Sequence, residues 1–305
     1  MVQSIVLTGP TAVGKTSIAI EFAERSGLEI INADSVCFYR GFDIGSAKPS
    51  KSEQARVPHH LIDIAAPEET YHAGRFWKDC SRAIEEIHAR GKRALIVGGS
   101  GFYLKALRFG LWDAPATSIE FRETLSGIST EELHSRLALL DPEHAIKTQS
   151  ADRYRIIRAL EILELSGQKP SDLEARMPET PDARFQLWVL DREKPELESR
   201  IAERIRSMLG AGWIEEATRL RLEFPGAKAL GAVGYRQILE YLDGTPPPGR
   251  KPAQDLEGLI GEIALAHRQL AKQQRTWFKN TGFDREFLLD RDEAALTDSL
   301  MKFYQ

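Results

Sequence analysis

Short apolar runs alternate with stretches of helical spacing in the first part of the chain. Strand-like runs cover 4–8, 29–33 and 93–97, and Gly or Asp follows each of them. Apolar residues at helical spacing occupy 15–25 and 83–89, and a glycine ends each segment. Strands that alternate with helices are typical of a parallel sheet with helices on both faces. The pattern therefore predicts an α/β core.

The pattern changes after Trp112. Residues 113–182 contain no convincing strand, and apolar residues recur there at helical spacing, most clearly from about Asp152 to Ser166. A strand pattern returns at 187–190. Helical spacing then covers 196–209, 214–223, 235–242 and 255–279. We expect an α/β core formed by 1–112 and 183–305, with an all-helical insertion, 113–182, and a helical C-terminal part.

Composition and charge place few further limits on the function. The 305 residues are 42% hydrophobic and 28% charged, with a formal net charge of −4, values that are ordinary for a soluble protein. A nucleic-acid partner would need locally concentrated positive charge. Two cysteines fit a reducing compartment. No run reaches the roughly 20 apolar residues of a membrane span, and no signal peptide is visible, so we expect a cytoplasmic monomer without membrane contact.

A phosphate-binding loop follows the first strand. Its G-x-x-x-x-G-K-T pattern lies between a strand and a helix, the context in which backbone N–H groups surround a diphosphate. The lysine supplies charge, and the threonine hydroxyl can bind Mg²⁺. The residues are Gly9, Pro10, Thr11, Ala12, Val13, Gly14, Lys15 and Thr16. The core is therefore predicted to be P-loop NTPase-like.

The loop does not identify its ligand, because ATP, GTP and other diphosphate esters present the same charge. The strand at 93–97 ends in two glycines and not in the Asp that many ATPases and kinases use to hold Mg²⁺. Asp34 follows the second strand and is a candidate general base, Mg²⁺ ligand or turn residue. The glycines at 98–101 fit either close approach of a ligand or a tight turn.

Several cations are candidates for phosphate contact. Arg268, Lys272, Arg275 and Lys279 have helical spacing over roughly 16 Å, and we call them the cationic stripe. No acidic residue occurs between Glu262 and Asp284, which favours phosphate contact over a solvated face. Two further pairs either clamp phosphate or form ion pairs with Glu161 and Glu203, namely Arg155 with Arg158 and Arg200 with Arg204. His59 and His60 are interpreted as a hydrogen-bonded turn.

Seven sequence blocks, taken together, resemble one family. They are Gly9–Thr16, Asp34-Ser35 before Tyr39-Arg40-Gly41, 43–49, 58–63, 98–103, 158–161 and 233–237. In this order they are similar to the bacterial tRNA dimethylallyltransferase, or tRNA isopentenyltransferase, family. The resemblance covers nearly the whole chain and is far more specific than the phosphate loop alone.

The resemblance implies transfer of a dimethylallyl group from dimethylallyl diphosphate to the N6 amine of the tRNA adenine immediately 3′ of the anticodon. It implies that the phosphate loop holds the donor and that Asp34 is the catalytic base. It assigns contacts with tRNA to Asp34, Ser35, Val36, Cys37, Ser100, Arg122, Tyr154, Arg155, Ile156, Ile157, Arg158, Tyr235 and Arg236. Cys37 and Tyr154 depart from the family pattern, which often has Gln at both positions.

The resulting hypothesis assigns a role to each group. Asp34 removes the amine proton, while Lys15, Thr16-bound Mg²⁺ and the loop N–H groups stabilise the leaving diphosphate. Arg200 and Arg204 are candidates for the same diphosphate, and the cationic stripe for the anticodon stem-loop. Three alternatives stay open: a prenyltransferase of free adenine nucleotide, a small-molecule kinase with 113–182 as its lid, and an RNA-binding module that senses nucleotides.

Overall fold

A computed structural model describes residues 3–112, 114–246, 249 and 251–305. The chain forms two compact units. The larger unit comprises Met1–Arg108 and Asp182–Gln305, and the smaller comprises Phe109–Pro181. The sequence prediction placed the first boundary four residues later, at Asp113, a residue that lies outside the described ones.

A six-stranded sheet is the centre of the larger unit, in the order β3-β2-β4-β1-β5-β6. All neighbouring strands are parallel, which confirms the predicted α/β class. The strands are β1 (Ser4–Thr8), β2 (Glu29–Asn32), β3 (His59–His60), β4 (Ala94–Val97), β5 (Phe185–Asp191) and β6 (Arg285–Leu288).

The two outer strands were missed by the sequence analysis. His59 and His60 form the edge strand β3, so their interpretation as a turn is wrong. His60 Nε2 lies 2.6 Å from a carboxylate oxygen of Glu29 on β2. Strand β3 has two residues and β6 has four, of which two are exposed. Neither is long enough, or apolar enough, to produce a clear periodic pattern.

Helices cover the sheet and form the C-terminal part of the larger unit. They are α1 (Lys15–Ser26), α2 (Lys51–Arg56), α3 (Ala73–Ala89), α4 (Gly101–Phe109), α10 (Lys194–Gly210), α11 (Trp213–Glu223), α12 (Tyr235–Asp243), α13 (Leu256–Thr281) and α14 (Leu289–Tyr304), with a 3-10 helix at Lys228–Gly231. The central strands are apolar along their length because both of their faces are covered. Ile5, Val6 and Leu7 of β1 are fully buried.

The smaller unit is helical throughout its described residues. Its helices are α5 (Ile119–Thr124), α6 (Thr130–Leu140), α7 (Pro142–Lys147), α8 (Arg153–Ser166) and α9 (Pro170–Ala175). Leu133, Leu137 and Ile156 are fully buried in its own core. The Ser129 side chain accepts a hydrogen bond from the Glu132 N–H and so begins α6. The prediction of a helical segment without strands is confirmed.

The longest helix, α13, has 26 residues and several charges on its surface. None of the helices in the described part of the chain is long and apolar enough to cross a membrane.

Candidate active site

The phosphate loop connects β1 to α1 at the carboxyl edge of the sheet. Gly9 has φ 149°, and a Cβ at this position would collide with the Leu190 carbonyl oxygen. Gly14 is the residue before α1 and has φ 109°. It has no side chain to cap the helix, so the first N–H groups of α1 stay available to an anion. The loop therefore has the backbone of a phosphate site.

Positively charged side chains hold the carbonyl oxygens of this loop. Lys15 Nζ donates to the carbonyls of Gly9 and Pro10, at 2.8 and 2.9 Å. Arg200 Nε donates to the Ala12 carbonyl at 3.0 Å, and Arg192 Nε to the Val13 carbonyl at 3.0 Å. The sequence predicts Arg200 but not Arg192, because nothing in the local pattern connects the end of β5 to the loop.

A cavity of about 560 Å³ opens beside the loop. Lys15, Thr16, Arg200 and Arg204 line it, and so does Asp34. Arg204 makes no side-chain hydrogen bond or ion pair among the described residues. Burial lowers the pKa of its guanidinium, and the Asp34 charge opposes that shift. Lys15, Arg200 and Arg204 thus bring three positive groups to one cavity, and none of the three forms an ion pair among the described residues, which suits a diphosphate.

The environment of the cavity strongly perturbs the Lys15 ammonium. Burial lowers the pKa of Lys15 from 10.5 to about 8. The negative charge of Asp34 opposes this effect, and the positive charge of Arg204 adds to it. A bound diphosphate would favour the protonated ammonium, so donor binding and protonation of Lys15 are coupled.

Asp34 lies two residues beyond β2 and is held by its neighbours. Its Oδ1 accepts from the Val36 N–H at 3.0 Å, and its own N–H donates to Asn32 Oδ1 at 3.0 Å. The adjacent Ser35 N–H donates to Ser100 Oγ at 3.0 Å. Asp34 Oδ2 has no hydrogen-bond partner among the described residues. One carboxylate oxygen is therefore fixed, and the other is available to a ligand in the cavity.

Cys37 also lines the cavity, and its side chain is buried. Its Sγ donates to the Ser46 carbonyl at 3.8 Å. Burial raises the pKa of the thiol, and the charge of Asp34 adds to the shift. The group is therefore a neutral part of the cavity wall.

The cationic stripe on α13 is interrupted at Arg275. Arg268, Lys272 and Lys279 are exposed. Arg275 instead forms two-pronged hydrogen bonds with the Asp191 carboxylate, at 2.6–3.1 Å, and donates to the Arg192 carbonyl at 2.7 Å. The expectation that Arg275 shares a free cationic face is wrong, because its acidic partner lies far away in sequence.

Tyr235 lies in the interior of the larger unit, in contrast to its predicted contact with tRNA. Its side chain is fully buried and its hydroxyl donates to Glu216 Oε1 at 2.5 Å. The predicted contact of this side chain with tRNA is therefore excluded by its burial. The same Glu216 carboxylate accepts backbone N–H groups from the segment after Phe42, so Tyr235 belongs to a structural network. Arg236 is exposed and lies 3.8 Å from Glu240.

In the smaller unit, a buried carboxylate organises two of the predicted arginines. Glu161 is fully buried, and its oxygens accept from Arg122 at 2.9 and 3.0 Å and from Arg158 at 2.5 Å. Burial alone would raise the pKa of Glu161, but the arginine hydrogen bonds outweigh it and hold the pKa at about 2. The sequence left two alternatives for Arg158, phosphate contact or an ion pair with Glu161, and the structure shows the ion pair.

The other predicted residues of α8 divide between core and surface. Ile156 is fully buried, and Ile157 is partly buried against the same core. The expected tRNA contact of the Ile156 side chain is therefore wrong. Tyr154 is 67% exposed, and its ring lies 5.5 Å from the Arg122 guanidinium. Arg155 is exposed, 3.3 Å from Asp152.

The fold and the cavity define a P-loop-like α/β protein with a cationic cavity beside a carboxylate. A family model described as IPP transferase matches residues 37–281. The chain belongs to the IPP transferase family.

Individual relatives agree with this assignment. The chain is 43% identical over 286 residues to a tRNA dimethylallyltransferase of Bordetella parapertussis, covering 90% of this chain and 89% of the relative. It is 41% identical over 281 residues to tRNA dimethylallyltransferase 1 of Citrifermentans bemidjiense, covering 91% and 89%.

Two solved structures have a similar fold. One is the full-length tRNA isopentenylpyrophosphate transferase of Bacillus halodurans, with a TM-score of 0.70 and 31% identity over 100% of this chain and 97% of that one. The other is a eukaryotic dimethylallyltransferase acting on tRNA, with a TM-score of 0.82 and 25% identity over 99% and 78%.

Proposed function

We propose that this protein transfers a dimethylallyl group from dimethylallyl diphosphate to the N6 amine of the tRNA adenine immediately 3′ of the anticodon. The observation that carries the proposal is the juxtaposition of the phosphate loop and Asp34 in one cavity. A diphosphate on the loop would be a leaving group, and the free Asp34 oxygen would accept a proton.

The chemistry assigns each group one task. A bond forms between N6 and the allylic carbon while the bond from that carbon to the diphosphate oxygen breaks. The amine lone pair is delocalised into the adenine ring, so loss of its proton to Asp34 favours attack. Lys15, Arg200 and Arg204 offset the charge that develops on the diphosphate.

Mg²⁺ is proposed as the companion of the diphosphate. Thr16 is exposed in the cavity wall, and its hydroxyl makes no hydrogen bond to the described residues. No group of three or more His, Cys, Asp or Glu side chains in the described part of the chain can hold a metal. Thr16 would therefore hold Mg²⁺ together with donor oxygens and water, which are the ligands this ion prefers. The ion would neutralise part of the diphosphate charge.

The proposed tRNA contacts are distributed over surfaces of each unit. In the larger unit they are Ser35, Val36 and Ser100 beside the cavity, Arg236, and the exposed cations of the stripe. In the smaller unit they are Arg122, Tyr154, Arg155 and Arg158. We propose the cytoplasm, where tRNA is found, as the place of action, and a monomer as the working form.

The two other enzyme hypotheses have less support. The names of the relatives favour tRNA over a free adenine nucleotide as the acceptor. A small-molecule kinase would leave the exposed stripe without a role. Binding of ATP to the phosphate loop remains a separate proposal, since the loop would accept any suitable diphosphate.

The test offers radiolabelled dimethylallyl diphosphate to the protein with unmodified tRNA in one reaction and with AMP in a second. A third reaction contains ATP and a hydroxyl-bearing small molecule. We expect label in tRNA alone, at the adenine 3′ of the anticodon after nuclease digestion. Label in AMP would overturn the choice of acceptor. Phosphate transfer from ATP without prenyl transfer would overturn the reaction.

A further inference from the structure

Gln274 on α13 bridges two loops of the candidate active site. Its side chain is half-buried and lines the cavity. Gln274 Oε1 accepts from the Thr11 N–H at 2.9 Å, and its Nε2 donates to the Gly99 carbonyl at 3.0 Å. One amide thus joins the phosphate loop to the loop that follows β4.

A neutral group of this length that both donates and accepts is needed to satisfy the two partners. The Thr11 N–H needs an acceptor and the Gly99 carbonyl needs a donor, which fixes the orientation of the amide. An ionised carboxylate at the same place would face the Gly99 carbonyl without a proton to donate. A Cβ on Gly99 would lie 2.7 Å from Gln274 Nε2, so the glycine at this position makes room for the bridge.

The bridge continues toward the proposed base. Ser100 follows Gly99, and its hydroxyl accepts from the N–H of Ser35, the neighbour of Asp34. The connection therefore runs from the donor cradle through Gln274 and the β4 loop to the Asp34 segment. The Thr11 N–H, in turn, is directed at Gln274 and is satisfied without a phosphate.

We propose that Gln274 is a positioning residue that sets the spacing between the donor diphosphate and Asp34. This inference rests on the proposed function. A rate that depends on the alignment of the allylic carbon, N6 and Asp34 is sensitive to small displacements, and a misplacement of about 1 Å can cost roughly 100-fold. Donor affinity depends mainly on the cations and the loop N–H groups. Loss of the bridge should therefore lower the rate of transfer at saturation more than it weakens donor binding.

The first test compares Gln274→Met with Gln273→Met. Gln273 is the adjacent residue, is exposed, and makes no side-chain hydrogen bond among the described residues. Met has a similar length and no charge. We expect Gln274→Met to lower the single-turnover rate at saturating donor and tRNA by roughly 10–100-fold, with donor affinity by calorimetry close to that of Gln273→Met.

The second test uses Gln274→Glu, with Gln273→Glu as its control. A protonated carboxyl group accepts with one oxygen and donates with the other, so it restores both hydrogen bonds of the amide. The ratio of the Gln274→Glu rate to the wild-type rate should rise as the pH falls from 8 toward 5, while the Gln273→Glu ratio stays flat. Taking the ratio removes from the comparison any pH dependence that the two proteins share.

The outcomes separate this inference from the proposed function. A wild-type protein that labels no tRNA would overturn the proposed function and this inference with it. If the wild type is active, a Gln274→Met rate equal to that of Gln273→Met would overturn the inference alone. A Gln274→Glu ratio independent of pH, with a lowered melting temperature, would also overturn it and assign Gln274 a purely structural role.

Discussion

Arginines lie both beside the phosphate loop and in the helical insertion, but the two groups differ in how many of them pair with a carboxylate. Beside the loop, Arg200 donates to a neutral carbonyl and Arg204 has no ion pair among the described residues, whereas Arg192 pairs with Asp290 at 2.9 Å. In the insertion, Arg122 and Arg158 share the buried carboxylate of Glu161. The first arrangement leaves the positive charge of Arg200 and Arg204 for a ligand, whereas in the second a carboxylate offsets the charge of one of the two arginines within the protein.

The difference corresponds to two kinds of ligand contact. A diphosphate is small and highly charged, so its site gains from several cations that converge on one cavity without being tied up in ion pairs. A nucleic-acid surface also needs orientation, because hydrogen bonds and stacking select the bound segment. The Glu161 carboxylate holds two guanidiniums in fixed planes, and the ring of the exposed Tyr154 lies beside one of them. We therefore expect mutations in the two regions to affect different measurements.

The largest expected effect is on the chemistry beside the loop. Asp34→Asn keeps an oxygen that can accept from the Val36 N–H, but it removes the proton acceptor. We expect single-turnover prenyl transfer to fall by roughly 10²–10⁴-fold, while donor and tRNA affinities stay near the wild-type values. Rapid-quench measurements with labelled donor give the rate. A turnover close to wild type would contradict the role of Asp34 as base.

Next in size is the stability of the insertion. Glu161→Gln keeps the shape of the side chain but leaves two guanidiniums facing a neutral group, and breaking such a buried pair costs about 3–5 kcal/mol. Hydrogen exchange on the amides of α5 and α8 measures the loss. The matched control is Glu164→Gln on the same helix, since Glu164 is exposed and has no ion pair among the described residues. Equal exchange in the two variants would show that Glu161 does not organise this unit.

A pH dependence should distinguish the loop from the insertion. The pKa of Lys15 is lowered to about 8, so the ammonium is protonated below that pH and neutral above it. Donor binding favours the protonated form. Affinity for dimethylallyl diphosphate should therefore be highest below pH 8 and weaken above it, by up to about tenfold per pH unit. Affinity for tRNA, measured without the donor, should not change with the protonation of Lys15.

Lys15→Arg is the control for that titration, because an arginine stays protonated over the whole range. Its donor affinity, measured by calorimetry, should be flat where that of the wild type falls. The comparison also removes the effect of the ligand's own ionisation. A parallel decline in both proteins would contradict the coupling to Lys15.

The parts of this molecule that local sequence determines were predicted well. The strand, the glycines and Gly-Lys-Thr of the phosphate loop are contiguous, so one pattern contains the whole cradle. Asp34 was found because residues after parallel strands meet at one edge of the sheet.

Residues whose role depends on distant partners were not predictable in this way. Gln274 contacts Thr11 across more than 260 positions, and Arg275 pairs with Asp191 on another element. A search for acids three or four positions away could not find Asp191. The contact of Tyr235 with tRNA was implied by the family resemblance alone, and only the buried Glu216 shows where the Tyr235 hydroxyl points.

The smallest effect is expected for the cationic stripe, and Arg275 is now excluded from its test. Lys272→Ala removes one exposed cation of α13 without breaking an ion pair among the described residues. If Lys272 contacts a tRNA phosphate, the slope of log affinity against log salt should become shallower by about 0.7–0.9, with donor affinity unchanged. Lys302→Ala on α14 removes the same charge from another exposed helix and should leave the slope near that of the wild type. Equal slopes for the two variants would mean that the stripe is a solvated face, and the tRNA interface of the larger unit would then be restricted to the rim of the cavity and Arg236.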